Sequence, residues 1–185
     1  MYHTIRRYMR STDSSWYEIP KKSLYHDLIS LVISQGISFA RARHIKKKLY
    51  EMTGQDDWSC HTVASLDLSK LGLSRDKIAT IKNITQHACN NTLDIHSIPG
   101  IGPWTIKALL VLQNLDENIF LFEDKWIRAR LQIFETYASM TCHQAELLTK
   151  KWRHKSAISR FLWRIKLSGI EKMKQDVPLD RADFV

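Results

Sequence analysis

Apolar residues recur at steps of three and four along most of this chain, which is the period of an α-helix. From Leu24 the series Leu24, Leu28, Leu31 and Val32 marks one helix, and Gly36 permits a turn into a second helix bearing Ala42, Ile45 and Leu49. A short helix is predicted near Thr62 to Leu68. A turn follows at Leu71-Gly72-Leu73, then a helix from about Arg75 to Ala88 with Ser74 as N-cap and Asn90-Asn91 at its close. Trp104 to Gln113 is apolar almost all round, which predicts a central buried helix. Asp124 precedes a helix running to roughly Tyr137, and Thr141 with Gln144 forms a capping-box pattern for the next. A last helix spans about Ser156 to Leu167 and stops at Gly169. No segment alternates convincingly enough for a strand, and no internal repeat of useful period occurs. The four prolines and six glycines fall where the periodicity breaks, so the fold class is all-α. The ends, about 1–20 and 172–185, are polar and expected to be irregular.

Length and charge narrow the picture. The 185 residues fit one domain, or one domain made of two small lobes, with a real core. Twenty-eight Lys and Arg against 19 Asp and Glu leave +9, enough to attract a polyanion. Nucleic acid is the leading partner class, with a merely soluble basic protein as the other reading. The polar face of the second helix carries Arg41, Arg43, Lys46, Lys47 and Lys48, which reads first as a solvated face and second as a phosphate contact.

Three cysteines, Cys60, Cys89 and Cys142, are odd in number and far apart in sequence, arguing for a reducing compartment rather than a disulfide framework. They read as buried thiols. Each has a histidine nearby, but neither CxxC nor HxxxH spacing occurs, and no four cysteines cluster for an iron–sulfur centre. The arginines near the N-terminus precede no apolar run, and no segment is long and apolar enough to span a bilayer. An intracellular protein without a membrane partner is expected, cytoplasmic in a bacterium and nuclear in a eukaryote.

The informative stretch is Ile98-Pro99-Gly100-Ile101-Gly102-Pro103-Trp104. Its glycines let the backbone approach a ligand closely, and Pro103 suits the first helical position, where its missing N–H costs nothing. The amides at that helix start form a seat for phosphate, although a plain tight turn between helices accounts for the pattern equally well. Downstream, Phe120-Leu121-Phe122-Glu123-Asp124-Lys125-Trp126 sets an acidic pair at a helix start. Asp124 taken alone is first an N-cap; a carboxylate held there can also serve a reaction.

Together these segments resemble the helix-hairpin-helix DNA glycosylase superfamily, with its Gly/Pro-rich loop and downstream aspartate. IPGIGPWT matches the hairpin, and FLFEDKWIRARL the aspartate helix. LISLVISQGIS at 28–38 is similar to the family's first helix and wedge turn, and LGLSRDKIATI at 71–81 to the segment before the hairpin. WRHKSAISRFLWR at 152–164 is similar to the closing tryptophan-rich helix of the alkylpurine (3-methyladenine) branch. The resemblance covers about 24–169 and implies a two-lobed helical fold without the N-terminal β lobe of the larger bacterial enzymes. In that frame 1–23 is an N-terminal extension, about 24–97 a lobe with the wedge turn, 98–169 the hairpin and aspartate, and 170–185 a tail.

The resemblance also implies roles. Asp124 is the expected catalytic carboxylate, stabilising an oxocarbenium-like sugar or orienting water. Gly100, Ile101, Gly102 and Thr105 at the hairpin, and Gln35, Gly36 and Ile37 at the wedge turn, are the expected DNA contacts. Trp104 and Trp163 are the expected stacking partners of a flipped, positively charged purine, though a Trp on an apolar helix otherwise reads as core. Bifunctional branches place a Schiff-base lysine where this chain has Trp104, so strand cleavage is not expected; Lys107 lies one turn further on. The pattern departs at Gly36, where the family often has a bulky wedge residue filled here by Ile37 or Gln35, and at Ala108, where bacterial enzymes present a tyrosine. A monomer acting on double-stranded DNA with a damaged base is implied. No cofactor is implied, beyond a possible monovalent cation on the hairpin carbonyls. Release of uracil or thymine from mismatches, and a non-catalytic DNA clamp, remain as rival functions.

Overall fold

The computed structural model describes residues 22–131 and 140–164, together with Ile5 and Met9. Between residues 22 and 164 the described residues form eight α-helices and one 3₁₀ turn, and the described residues contain no strand. The chain divides into two compact units, one over Lys21–Gln113 and one from Asn114 onward with the N-terminal residues.

In the first unit, α1 (Leu24–Ser34) begins at Ser23, whose Oγ accepts from the His26 amide at 3.1 Å. It buries Tyr25, Leu28, Ile29, Leu31, Val32 and Ile33, too many for one stripe, because three helices lean on it. These are α2 (Phe39–Thr53), α4 (Arg75–Cys89) and α5 (Pro103–Leu112). The hub of the unit is therefore α1 rather than the 104–113 helix, which buries Thr105, Ala108, Leu109 and Val111 along one side.

Ser38 caps α2, which buries Ala42, Ile45 and Leu49 as their spacing predicts and ends at Gly54 in the left-handed region. Its polar face is not uniformly solvated. Arg41 donates to the Gly72 carbonyl at 3.2 Å, Lys47 pairs with Glu51 at 3.7 Å, and Lys46 is half-buried. Burial pushes the Lys46 ammonium down to about 8, against the pull of Asp27. The helix predicted near 62–68 resolves into two pieces, α3 (Cys60–Ala64) capped by Ser59 and a 3₁₀ turn (Leu68–Leu71) capped by Asp67. Two side-chain caps eight residues apart, Ser59 and Asp67, leave room for only one short turn each.

In the second unit, α6 (Lys125–Leu131) packs against α8 (Lys155–Arg164), and α7 (Cys142–Thr149) starts from the predicted Thr141–Gln144 capping box. Ser156 and Ser159, both buried on α8, fasten the incoming segment. Leu121 N–H donates to Ser159 Oγ at 3.2 Å, and Ser156 Oγ donates to the Asp116 carbonyl at 2.5 Å. The predicted continuations to Tyr137 and Leu167 lie outside the described residues. Ile5 and Met9, the two described residues of the N-terminal segment, are helical and buried where an irregular end was expected; the rest of that segment lies outside the described residues.

Candidate active site

The hairpin belongs to the compact unit Lys21–Gln113, where α5 packs on α1. Ile98 is buried and anchors the turn, and the Ile101 amide donates back to its carbonyl at 3.1 Å. Gly100 adopts φ +90°, with Thr80 of α4 directly behind it. A Cβ at this position would overlap Thr80 Oγ1, so both the conformation and the contact require glycine. Gly102 is the N-cap of α5 and supplies no side-chain acceptor, and Pro103 follows at the first helical position. The first amides of α5 therefore have no capping side chain, which suits them to an anion.

Gln35 links this hairpin to the wedge turn. Its Nε2 donates to the Gly100 carbonyl at 3.2 Å and to Thr105 Oγ1 at 2.9 Å. So the structure brings together Gln35, Gly100 and Thr105, residues from distant stretches of sequence, with Gly36 and Ile37 following directly on the turn. Gly36 takes φ +64° and is exposed; Ile37 is half-buried. With its amide committed to the hairpin, Gln35 positions the turn.

Sequence reading missed two further residues. Lys77 of α4 donates to the carbonyls of Ile33 and Gln35 at 2.7 and 2.6 Å, closing the end of α1 with a cation. Burial holds its ammonium below the ordinary value. Phe39, the first residue of α2, is 61% exposed, with the Arg43 guanidinium 5.0 Å from its ring centre. A large aromatic in water next to a glycine turn was visible in the sequence; its exposure was not. The Pro99 and Gly100 carbonyls already accept from Thr80 (3.2 Å) and Gln35, leaving each one lone pair for the expected monovalent cation.

Asp124 stands at the head of α6 in the second unit. Its Oδ1 accepts from the Trp126 and Ile127 amides at 2.9 and 3.0 Å, a full N-cap. The residue is only 4% exposed, yet Oδ2 accepts no hydrogen bond among the described residues. Burial holds the nearby Arg130 guanidinium below its ordinary value, while the Asp124 charge pulls it back up. Arg130 and Lys125 also flank the half-exposed Trp126, 5.9 and 5.4 Å from its ring centre. Trp163 lies on α8, which packs on α6, and Trp104 lies in the first turn of α5 in the other unit. Both are half-buried rather than sealed in a core.

Searched by sequence, the chain matches no family model and no curated protein. Its architecture is another matter. It is similar to a DNA-3-methyladenine glycosidase from Bacillus halodurans, with 16% identity and TM-score 0.61 over 87% of this chain and 88% of that one. It is similar to a 3-methyladenine DNA-glycosylase from Archaeoglobus fulgidus, with 18% identity and TM-score 0.65 over 88% and 67%. A third likeness is to a 3-methyladenine DNA glycosylase from Schizosaccharomyces pombe solved in complex with abasic DNA, with 20% identity and TM-score 0.64 over 86% and 89%. At such identities a likeness speaks for architecture, and here it speaks for nearly the whole chain: this polypeptide has the all-helical fold of the 3-methyladenine DNA glycosylases.

Proposed function

We propose that the chain is a monofunctional DNA glycosylase that releases alkylated purines of the 3-methyladenine and 7-methylguanine type from double-stranded DNA. The observation that carries this reading is Asp124, with one carboxylate oxygen spent on capping α6 and the other accepting no hydrogen bond among the described residues, in a fold shared with 3-methyladenine glycosylases. The uncapped start of α5 would hold a backbone phosphate, and the charge of +9 would draw the duplex in.

In such a base the ring already bears positive charge, so the bond from C1′ to nitrogen breaks with its electron pair moving onto the base. Positive charge then develops on the sugar. That second oxygen of Asp124 stabilises it, and takes a proton from the water that adds to C1′. Trp104 and Trp163, half-buried in their separate units, are the residues the resemblance assigns to stacking on a cationic base, at about 0.5–2 kcal/mol per ring. Neutral uracil or thymine gains less from aromatic faces and needs hydrogen-bonding groups instead, which favours the alkylpurine reading. Strand cleavage is not expected, because Trp104 stands where a Schiff-base lysine would be needed.

The test is Asp124→Asn on dimethyl-sulfate-treated DNA. Asn remains an N-cap, so folding stability should stay within about 0.5 kcal/mol and DNA affinity should persist, while release of methylated bases falls at least a hundredfold. Asp124→Ala should lose the same activity and about 1 kcal/mol of stability as well. Wild-type release by the Asn variant would leave Asp124 a cap and nothing more. Wild-type protein releasing only uracil would favour the mismatch reading, and a Lys107-dependent borohydride adduct on abasic DNA would refute the monofunctional one.

A further inference from the structure

Away from this machinery, three side chains that sequence spacing kept apart meet at the end of the first unit. Cys60 and His61 open α3, and Cys89 ends α4, which packs against it. The two sulfurs and an imidazole nitrogen all lie within 4.8 Å of one another. Both cysteines are half-buried and His61 is exposed, so the group sits where solvent ions reach it.

We infer that Cys60, His61 and Cys89 form a metal site that takes one thiophilic cation of the zinc type, clamping α3 to α4. The chemistry of the donors selects the ion. Two thiolates and a neutral imidazole match the soft-to-borderline preference of zinc and reject magnesium or calcium, which want oxygen. Two thiolate charges also cancel those of a divalent cation, which lets the centre stay half-buried without a stranded charge. Tetrahedral ligation at roughly 2.0–2.3 Å brings donor atoms to within about 4 Å of each other, so contraction of less than about 1 Å completes the geometry. A disulfide would use the sulfurs alone. The imidazole within the same small radius is what favours the metal. Three protein ligands leave the fourth position to water, on the side where His61 is exposed.

This inference does not rest on the glycosylase reading, and its test uses no DNA. The full chain, reduced and freed of metal, is titrated with cobalt(II) and then zinc(II). The expected result is one cobalt per chain, with a sulfur-to-cobalt charge-transfer band and the visible bands of a tetrahedral ion, both erased by one equivalent of zinc. Cys60→Ser and Cys89→Ser should each abolish the charge-transfer band, His61→Ala should weaken binding at least tenfold, and Cys142→Ser should change nothing. Zinc should raise the melting temperature of the wild type and not of Cys60→Ser. The proposal is overturned if no sulfur band appears, if the band survives loss of both Cys60 and Cys89, or if it needs Cys142. It is equally overturned if the protein is isolated with a Cys60–Cys89 disulfide and, once reduced, binds no metal.

Discussion

Gly100 is the position where one added methyl group should do the most damage to the hairpin, and the structure allows the cost to be divided. At φ +90° an alanine sits in the left-handed half of conformational space, at about 1–2 kcal/mol. Its Cβ would also overlap Thr80 Oγ1 and stand 3.1 Å from Cγ2 and 3.3 Å from Cβ of the same residue. Thr80 is buried and β-branched, so its hydroxyl must swing off the Pro99 carbonyl it now meets at 3.2 Å, at about 1 kcal/mol more. Gly100→Ala should therefore destabilise the chain by about 2–3 kcal/mol in urea unfolding. Gly36→Ala is the control: its φ is also positive at +64°, but nothing lies within 4 Å, so only the conformational part is expected. Thr80→Ala deletes the two most crowded atoms, at about 1 kcal/mol for the lost hydrogen bond. The double variant Thr80→Ala/Gly100→Ala should then be more stable than the sum of the singles implies, by about 1 kcal/mol. Additivity within about 0.3–0.5 kcal/mol would refute the contact as the source of the cost, as would equal effects at Gly36 and Gly100.

Phe39→Ala should leave stability within about 0.5 kcal/mol, because the ring is mostly in water, yet weaken duplex binding between roughly fivefold and a hundredfold, the worth of one stacked base. Unchanged binding in a filter or anisotropy assay would show that the ring does not touch DNA. Lys46→Met should alter the pH profile of stability in one direction. The folded state holds the Lys46 proton only below about 8, whereas an unfolded lysine keeps it to about 10.5, so wild-type stability contains a penalty below pH 8 that is relieved as pH rises toward 10.5. Relative to the methionine variant, the wild type should gain about 2 kcal/mol across that window, after allowing for partial solvent access. Parallel profiles, measured by urea unfolding at pH 7.5 and 9.5, would place the Lys46 ammonium in water.

What the sequence made legible was whatever repeats locally. Ser74 and the Thr141–Gln144 box announced their helices because a cap acts within three residues of itself. The positive-φ glycines announced their turns for a similar reason. Partners that meet across the chain were less visible. Nothing in the spacing of Gln35 and Thr105, or of Cys60 and Cys89, says that they touch, since that depends on how α1, α3, α4 and α5 pack. The basic face of α2 shows the same limit: its charges were legible, but the burial of Lys46 and the engagement of Arg41 by Gly72 were not. Asp124 was legible as a cap, and the capping geometry then supplied what the sequence could not, the inequality of its two oxygens.

The bridge from Gln35 to Gly100 and Thr105, stiffened by Lys77 on the carbonyls behind it, ties two loops into one rigid jaw. A loose pair would have to be ordered anew at each encounter with a strand, surrendering several rotamers' worth of freedom every time. Here the spacing between the two loops is set during folding. Were they to grip and probe DNA as proposed, each trial along a strand would be brief, because it would close no gap of its own making.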